Sequence, residues 1–139
     1  MSREIKFRAW DKSTKKMLFP SEIHFLSNTY YLSCNWEGVG FVNTRFSELM
    51  QFTGLHDKNN KPIFEGDILK LADSDHLNWE MVGEVVSVEW KAPRFRIKNK
   101  RGVTGIVDES DSEYVKIIGN IYEHPDLLSP SAKPDEEKL

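Results

Sequence analysis

Short stretches in which apolar and polar residues alternate run along most of the chain. Near the start, Ile5, Phe7 and Ala9 alternate with the charged residues between them. A period of two places successive side chains on opposite faces of a strand, so this stretch predicts a strand with one buried face. The polar run after residue 10 is typical of a turn, and a hairpin is the simplest interpretation.

The segment LMQFTGLHDKNNKPIFEGDIL, residues 49–69, combines two alternating stretches with two turn signals. Asp and Asn tolerate left-handed backbone conformations, so HDKNNKP predicts a hairpin turn between two strands. A Glu-Gly-Asp turn follows, in which Gly66 is expected to have a positive φ. These features indicate architecture rather than chemistry.

After Gly66 the alternation predicts a meander of short strands. The strands are expected within DILKL, MVGEVVSVEW, KAPRFRIKNKRG, VTGIV and YVKIIGNIY. The run DESDSE before the last strand indicates a helical or 3₁₀ turn, because Asp and Ser accept hydrogen bonds from backbone amides at a helix start. Five strands with one helical turn before the last are typical of a small antiparallel barrel of the SH3-like kind.

The predicted organisation is therefore mainly β and has three parts. Residues 1–65 form a β-rich N-terminal region, residues 66–128 the SH3-like barrel with short helical turns, and residues 129–139 a flexible tail rich in proline and charge. Residues 21–48 contain strand formers without a clear pattern. Unpaired strands in that segment suggest self-association with a second copy.

Composition and charge restrict the class of protein to which the chain can belong. With 139 residues, of which 39% are hydrophobic and 29% charged, the chain is expected to fold as a soluble globular protein. The single cysteine, Cys34, has no partner for an internal disulfide, and no signal peptide or membrane span is predicted, so a cytoplasmic location is expected. A net charge of −3 argues against general affinity for polyanions, although a local excess of cations remains open.

The strongest candidate for a binding site is the run KAPRFRIKNKR, which contains no acidic residue. Alternation places its cations on one side of a strand while Phe95 and Ile97 face the core. Such a row could contact phosphates, but Lys-rich edge strands also protect a sheet against aggregation, so a solvated edge is the other interpretation. The candidate residues are Lys91, Arg94, Arg96, Lys98, Lys100 and Arg101.

Four tryptophans provide large apolar surfaces, and most of them are expected in the core. Trp79 is the exception, because it lies in a polar stretch between Asn78 and Glu80. An exposed tryptophan beside the basic row would suggest stacking on a base or on a peptide ring. Trp79 is therefore added to the candidate binding residues.

Other chemistry finds weaker support. The cluster Asp73, Asp75 and His76 resembles the start of a calcium loop, but the rest of that pattern is missing. Glu65 and Asp67 are better explained by a turn than by acid–base catalysis, and no base accompanies Cys34 in a local motif. No catalytic residue, metal site or cofactor is predicted.

Three blocks identify a resemblance that covers most of the chain. REIKFRAWD, LMQFTGLHDKNNKPIFEGDIL and IIGNIYEHPDLL resemble, in this order, the YopX family of proteins encoded mostly by phages and prophages of Gram-positive bacteria. Where the family usually has Asn-Gly in the hairpin turn, this chain has Asn59-Asn60. The resemblance implies an SH3-type barrel in the second half and a bacterial host, and it implies no activity or catalytic residue.

These observations predict a non-enzymatic binding or assembly module rather than an enzyme. The alternative is a nucleic-acid-binding accessory protein that uses the basic strand, residues 91–101. The partner is not identified by the sequence.

Overall fold

The computed structural model describes residues 4–33, 41–43, 47–72, 81 and 83–128, with the backbone alone for residues 41–43. The protein is mainly β, as the alternation predicts, and its described part contains twelve strands and two 3₁₀ helices. The chain divides into two compact units, Met1–Phe52 and Thr53–Leu139. The domain boundaries inferred from the sequence remain predictions.

The first unit contains the predicted N-terminal hairpin. Its strands are β1 (Phe7–Asp11) and β2 (Lys16–Leu18), and β1 also pairs with the first part of β6 (Ser47–His56), so β1 lies between two antiparallel neighbours. In contrast to the single buried face predicted from alternation, Arg8 and Trp10 are buried as well as Ala9.

A second sheet of the first unit lies where the sequence pattern is unclear. Strands β3 (Glu22–Phe25), β4 (Tyr30–Ser33) and β5 (Phe41–Asn43) pair antiparallel in that order. Leu32 on the middle strand is fully buried. Segment 21–48 therefore contributes its own small sheet.

The second unit is built on a five-stranded antiparallel sheet. Its strand order is β11-β10-β9-β8-β12. A 3₁₀ helix, Glu109–Tyr114, precedes the last strand as predicted, and a second one, Pro125–Leu128, follows it. The SH3-like class of this unit remains a prediction, which the strand order supports. The strands of the unit are β7 (Pro62–Phe64), β8 (Asp67–Leu71), β9 (Val85–Lys91), β10 (Arg94–Asn99), β11 (Thr104–Gly105) and β12 (Val115–Asn120).

Both predicted turns of the central segment are present. Asn60 adopts a φ of 62° in the HDKNNKP turn, where the amide of Asp57 donates to the carbonyl of Lys61 at 2.9 Å. Gly66 has a φ of 84°, as expected for the turn between β7 and β8. A turn closed by the hydrogen bond between Asp57 and Lys61 needs a residue in the left-handed backbone conformation. Asn adopts that conformation at a moderate cost in free energy.

Alternating apolar residues on the strands of the second unit form one core. The register sets Ile97 against Val88, and Val86 against Leu69, so the apolar side chains share a face of the sheet. Removal of this apolar surface from water is the main stabilising contribution. The buried members of the core are Ile63, Leu69, Leu71, Met81, Val86, Val88, Ile97 and Val115.

A buried carboxylate ties the HDKNNKP turn to the last strand. Asp57 accepts hydrogen bonds from the amides of Asn59 and Lys61 at 2.9 Å and from the amide of Ile117, 60 residues away, at 3.0 Å. Burial alone would raise the pKa of Asp57, but these amide donors and the charge of Lys61 outweigh it, so its pKa is lowered. The ionised carboxylate is therefore part of the folded structure.

We predict that Asp57→Asn lowers the free energy of unfolding by about 1–3 kcal/mol at neutral pH, because an amide cannot satisfy donors at both oxygens. The folded pKa lies below the ordinary value of 3.8, so the carboxylate contributes fully above that value and loses its contribution as the pH falls through the folded pKa. Urea unfolding at a series of pH values measures the difference.

The difference in the free energy of unfolding between wild type and Asp57→Asn should become smaller as the pH falls through the folded pKa of Asp57. Asp126→Asn, which changes an exposed carboxylate, is the matched control and should have little effect. A difference that is independent of pH would contradict this account of Asp57.

Candidate functional site

The predicted basic row lies on the hairpin formed by β9 and β10. A two-residue turn, Ala92-Pro93, with a cis peptide bond joins the strands. The register sets Arg94 opposite Lys91, Arg96 opposite Glu89, and Lys98 opposite Ser87. Since paired residues and every second residue share a face, the structure brings Lys91, Arg94, Arg96 and Lys98 to one side of the hairpin, which we call the cationic face.

Two candidate residues lie at the opposite end of the hairpin. Lys100 and Arg101 occupy the turn after β10, away from Ala92-Pro93. Nη2 of Arg101 donates to Oε1 of Glu84 at 2.5 Å, and Nδ2 of Asn99 donates to the other oxygen of the same carboxylate at 2.7 Å. Lys100 and Arg101 are therefore separate from the four cations of the cationic face. Trp79 lies outside the described residues.

The cations of the cationic face differ in exposure. Lys91, Arg94 and Lys98 are exposed, whereas Arg96 is half-buried and donates through Nε to Oε2 of Glu89 at 2.5 Å. This ion pair fixes the Arg96 guanidinium close to the sheet and offsets one positive charge. Lys91 and Arg94, at the turn, are the exposed cations next to it.

The hairpin has the opposite charge to the rest of the chain. Residues 84–101 contain six cations and two carboxylates, which gives a formal charge of +4, so the remaining residues carry −7 of the total of −3. A local positive field of this kind attracts anionic ligands even though the whole chain is acidic.

Trp90 departs from the expectation that it lies in the core. It is 51% exposed, and its ring contacts Phe95 edge to face with 5.0 Å between the centroids. Trp90 and Phe95 are opposite each other in the register, so they share the face that also carries Val88 and Ile97. The aromatic pair therefore lies on the opposite side of the hairpin from the cationic face. The position of Trp90 beside the turn, next to Lys91, is the sequence feature that could have indicated its exposure.

A cleft of about 360 Å³ lies at the turn end of the hairpin. Its walls are the turn and β10 on one side and the segment 104–106 on the other. Ile106, an apolar side chain that is largely exposed, contributes to the second wall. Cations and apolar groups together line the cleft: Lys91, Ala92, Pro93, Arg94, Arg96, Thr104, Gly105 and Ile106.

Of the other carboxylates considered as sites, Asp67 has a structural role. Asp67 is buried and accepts a hydrogen bond from the amide of Phe64 at 2.8 Å, which agrees with the turn interpretation. Within the described ranges, no three His, Cys, Asp or Glu residues are grouped so that they could hold a metal ion. Cys34, Asp73, Asp75 and His76 lie outside the described residues.

Two further carboxylates have a lowered pKa, and both belong to turns or helix caps. The pKa of Asp11 is raised by burial but lowered more by hydrogen bonds from Ser13 and Thr14. The pKa of Asp108 is lowered chiefly by hydrogen bonds from Ser110. Asp108 is the N-cap residue of the 3₁₀ helix Glu109–Tyr114. These shifts stabilise local structure.

The fold and this hairpin define a mainly β protein with a basic surface hairpin. The chain belongs to the YopX protein family, whose model matches residues 6–129. The resemblance inferred from the three sequence blocks is thereby confirmed. No curated protein matches the chain.

The solved structures similar to the chain include those of two proteins. Protein EF1440 from Enterococcus faecalis is 27% identical with a TM-score of 0.63, and the match covers 92% of this chain and 100% of that one. Protein yopX from Bacillus subtilis is 20% identical with a TM-score of 0.63, covering 91% and 98% of the two chains, and shows similarity of fold. In the described part of the chain, no helix has the length and apolar character needed to cross a membrane.

We predict that Trp90→Ala lowers the free energy of unfolding by about 0.5–1.5 kcal/mol, the usual contribution of an aromatic pair, because the ring is half exposed. Ile97→Ala, in the core on the neighbouring strand β10, should lower the free energy of unfolding by about 2–5 kcal/mol. Urea unfolding of both variants compares the two positions. Equal losses would mean that the Trp90 ring is buried in solution.

Proposed function

We propose that this chain is a phage- or prophage-encoded, non-enzymatic binding or assembly module that acts in the cytoplasm of its bacterial host. Its recognition surface is the turn end of the β9–β10 hairpin. The observation that supports this proposal is the cationic face, where Lys91 and Arg94 are exposed beside a cleft. An anionic macromolecule is the ligand that this surface suits.

The lining of the cleft supports binding through both charge and apolar contact. Three of the lining side chains are cationic, and Pro93 and Ile106 add apolar surface. Arginine can bind a carboxylate or phosphate through two parallel hydrogen bonds, which gives orientation as well as attraction. A ligand with negative charges and small apolar groups would satisfy all of these groups together.

Nucleic acid is the alternative ligand, and the row of cations is the observation in its favour. Phosphate contacts from such a row would give an affinity that falls steeply with salt. Recognition of single strands usually adds stacking of bases on aromatic rings. Here Trp90 faces away from the row, so phosphate contacts would have to act without stacking by that residue.

Self-association is a further part of the proposal. Among the described residues, β3 and β5 are the outer strands of the β3–β4–β5 sheet, and outer strands can pair with another chain. Light scattering over a range of concentrations tests this point. A single monomer mass at every concentration would remove it.

We predict that a macromolecule co-purifies with the wild-type protein from an induced host and is lost with Arg94→Glu, because that change reverses the charge at the cleft. Mass spectrometry and nuclease treatment identify the retained material. Lys116→Glu makes the same change in net charge at an exposed position of β12, which is separated from β10 by β9 and β8 in the sheet, and should keep it.

The same retained material with wild type and both variants would contradict recognition at this hairpin. So would material that is lost equally with both variants, since that result would indicate dependence on net charge alone.

A further inference from the structure

Among the described residues, part of β10 has an open edge. In the described residues, β11 pairs with β10 at Ile97 and Lys98, and the residues nearer the turn, 94–96, pair with β9 only. A strand that has a neighbour on one side presents backbone groups on its other side. The turn end of β10 is therefore the place where a further strand can pair.

The direction of the backbone groups locates the donors at this edge. The amide of Asn99 donates toward the β11 side, to the carbonyl of Val103 at 3.0 Å. In an antiparallel strand the N–H and C=O groups of alternate residues point to the same side, so those of Ile97 and Phe95 point there too. Ile97 has its partner in Gly105, whereas Phe95 lies beyond the end of the β10–β11 pairing.

The open edge lies next to the cleft. Arg94 and Arg96, which flank Phe95 in the sequence, line the cleft from the cationic face, and the segment 104–106 forms its other wall. Its volume of about 360 Å³ lies within the usual range of binding pockets. Space is thus available on the cationic face beside the edge at Phe95.

The two faces of the hairpin differ in chemistry beside this edge. Arg94 and Arg96 lie on the cationic face, and Phe95 with Trp90 lies on the aromatic side. A strand added at the edge would direct its successive side chains to these two faces in turn. Acidic side chains would then meet the arginines, and apolar side chains would lie beside Phe95, whose ring contacts Trp90.

We propose that the open edge of β10 binds an extended peptide in which acidic and apolar residues alternate, by strand addition at Phe95. This inference rests on the proposed function and names its partner class, a protein segment. Main-chain hydrogen bonds supply affinity, and the two faces supply specificity. The positive charge of the hairpin attracts the acidic residues, and the alternation selects among acidic segments.

A single strand of nucleic acid fits this arrangement less well. It carries no peptide backbone to pair with Phe95, and its bases would need an aromatic ring on the same face as the cations. The observed separation of Trp90 from the cationic face therefore favours the peptide.

The test measures binding of labelled synthetic peptides to the full chain by fluorescence anisotropy. The first peptide alternates Glu and Val, and the second has the same composition in two blocks. A third repeats the alternating sequence with N-methylated backbone amides at alternate residues, on the edge that would face β10, which removes hydrogen-bond donors and keeps every side chain. A thymidine oligonucleotide is the nucleic-acid probe. The protein variants are Arg94→Glu, Trp90→Ala and the control Lys116→Glu, each checked for folding by circular dichroism.

We expect the alternating peptide to bind at least tenfold more tightly than the block and N-methylated peptides. Arg94→Glu should weaken it at least tenfold and Trp90→Ala severalfold, whereas Lys116→Glu should change it less than twofold. Equal binding of all three peptides would overturn strand addition.

Oligonucleotide binding that is lost with Arg94→Glu, without any peptide binding, would refute the peptide and leave the proposed function standing. If no probe binds, or if Arg94→Glu and Lys116→Glu weaken binding equally, both the inference and the proposed recognition surface fail.

Discussion

The register between β9 and β10 is the constraint on which both the core and the candidate surface depend. It sets Ile97 against Val88 in the core and, one residue along, Arg96 against Glu89 on the other side of the sheet. Because side chains alternate with a period of two, a slip by one residue would expose the apolar set and bury the cations. The burial of Ile97 and Val88 therefore holds the cationic face in place, and the same pairing that stabilises the sheet positions the arginines.

The carboxylates of the hairpin restrict where its positive charge is concentrated. Glu89 binds Arg96, and Glu84 binds Arg101 at the other end. Ion pairs that are partly open to solvent contribute little stability, so the main effect of these two is on the distribution of charge and on the orientation of the guanidinium groups. The exposed cations Lys91 and Arg94 are left beside the turn, where the cleft and the open edge of β10 also lie. Charge, space and backbone groups thus meet at one end of the hairpin.

Local patterns predicted what depends on local physics. The strands of the second unit, the left-handed turn at Asn60 and the 3₁₀ helix before the last strand all follow from alternation and turn chemistry. The exposure of Trp90 could not be predicted in this way, because it depends on which strands cover the end of the hairpin. The burial of Arg8 and Trp10 likewise lay outside local alternation, since β1 pairs with β6, a strand distant in sequence, as well as with β2. The open edge of β10 was also beyond the sequence, since it requires the end point of the pairing with β11.

The hydrogen bond between Asp57 and the amide of Ile117 has a consequence for the order of events during synthesis. Its partners are 60 residues apart, and β12, the last strand, pairs with β8 rather than with its predecessor in sequence. Loop closure over such separations slows folding, and a nascent chain in which β12 has not yet been synthesised has no strand to pair with the outer edge of β8. The edge of β8 thus stays uncovered until β12 emerges, which makes this protein dependent on non-local assembly.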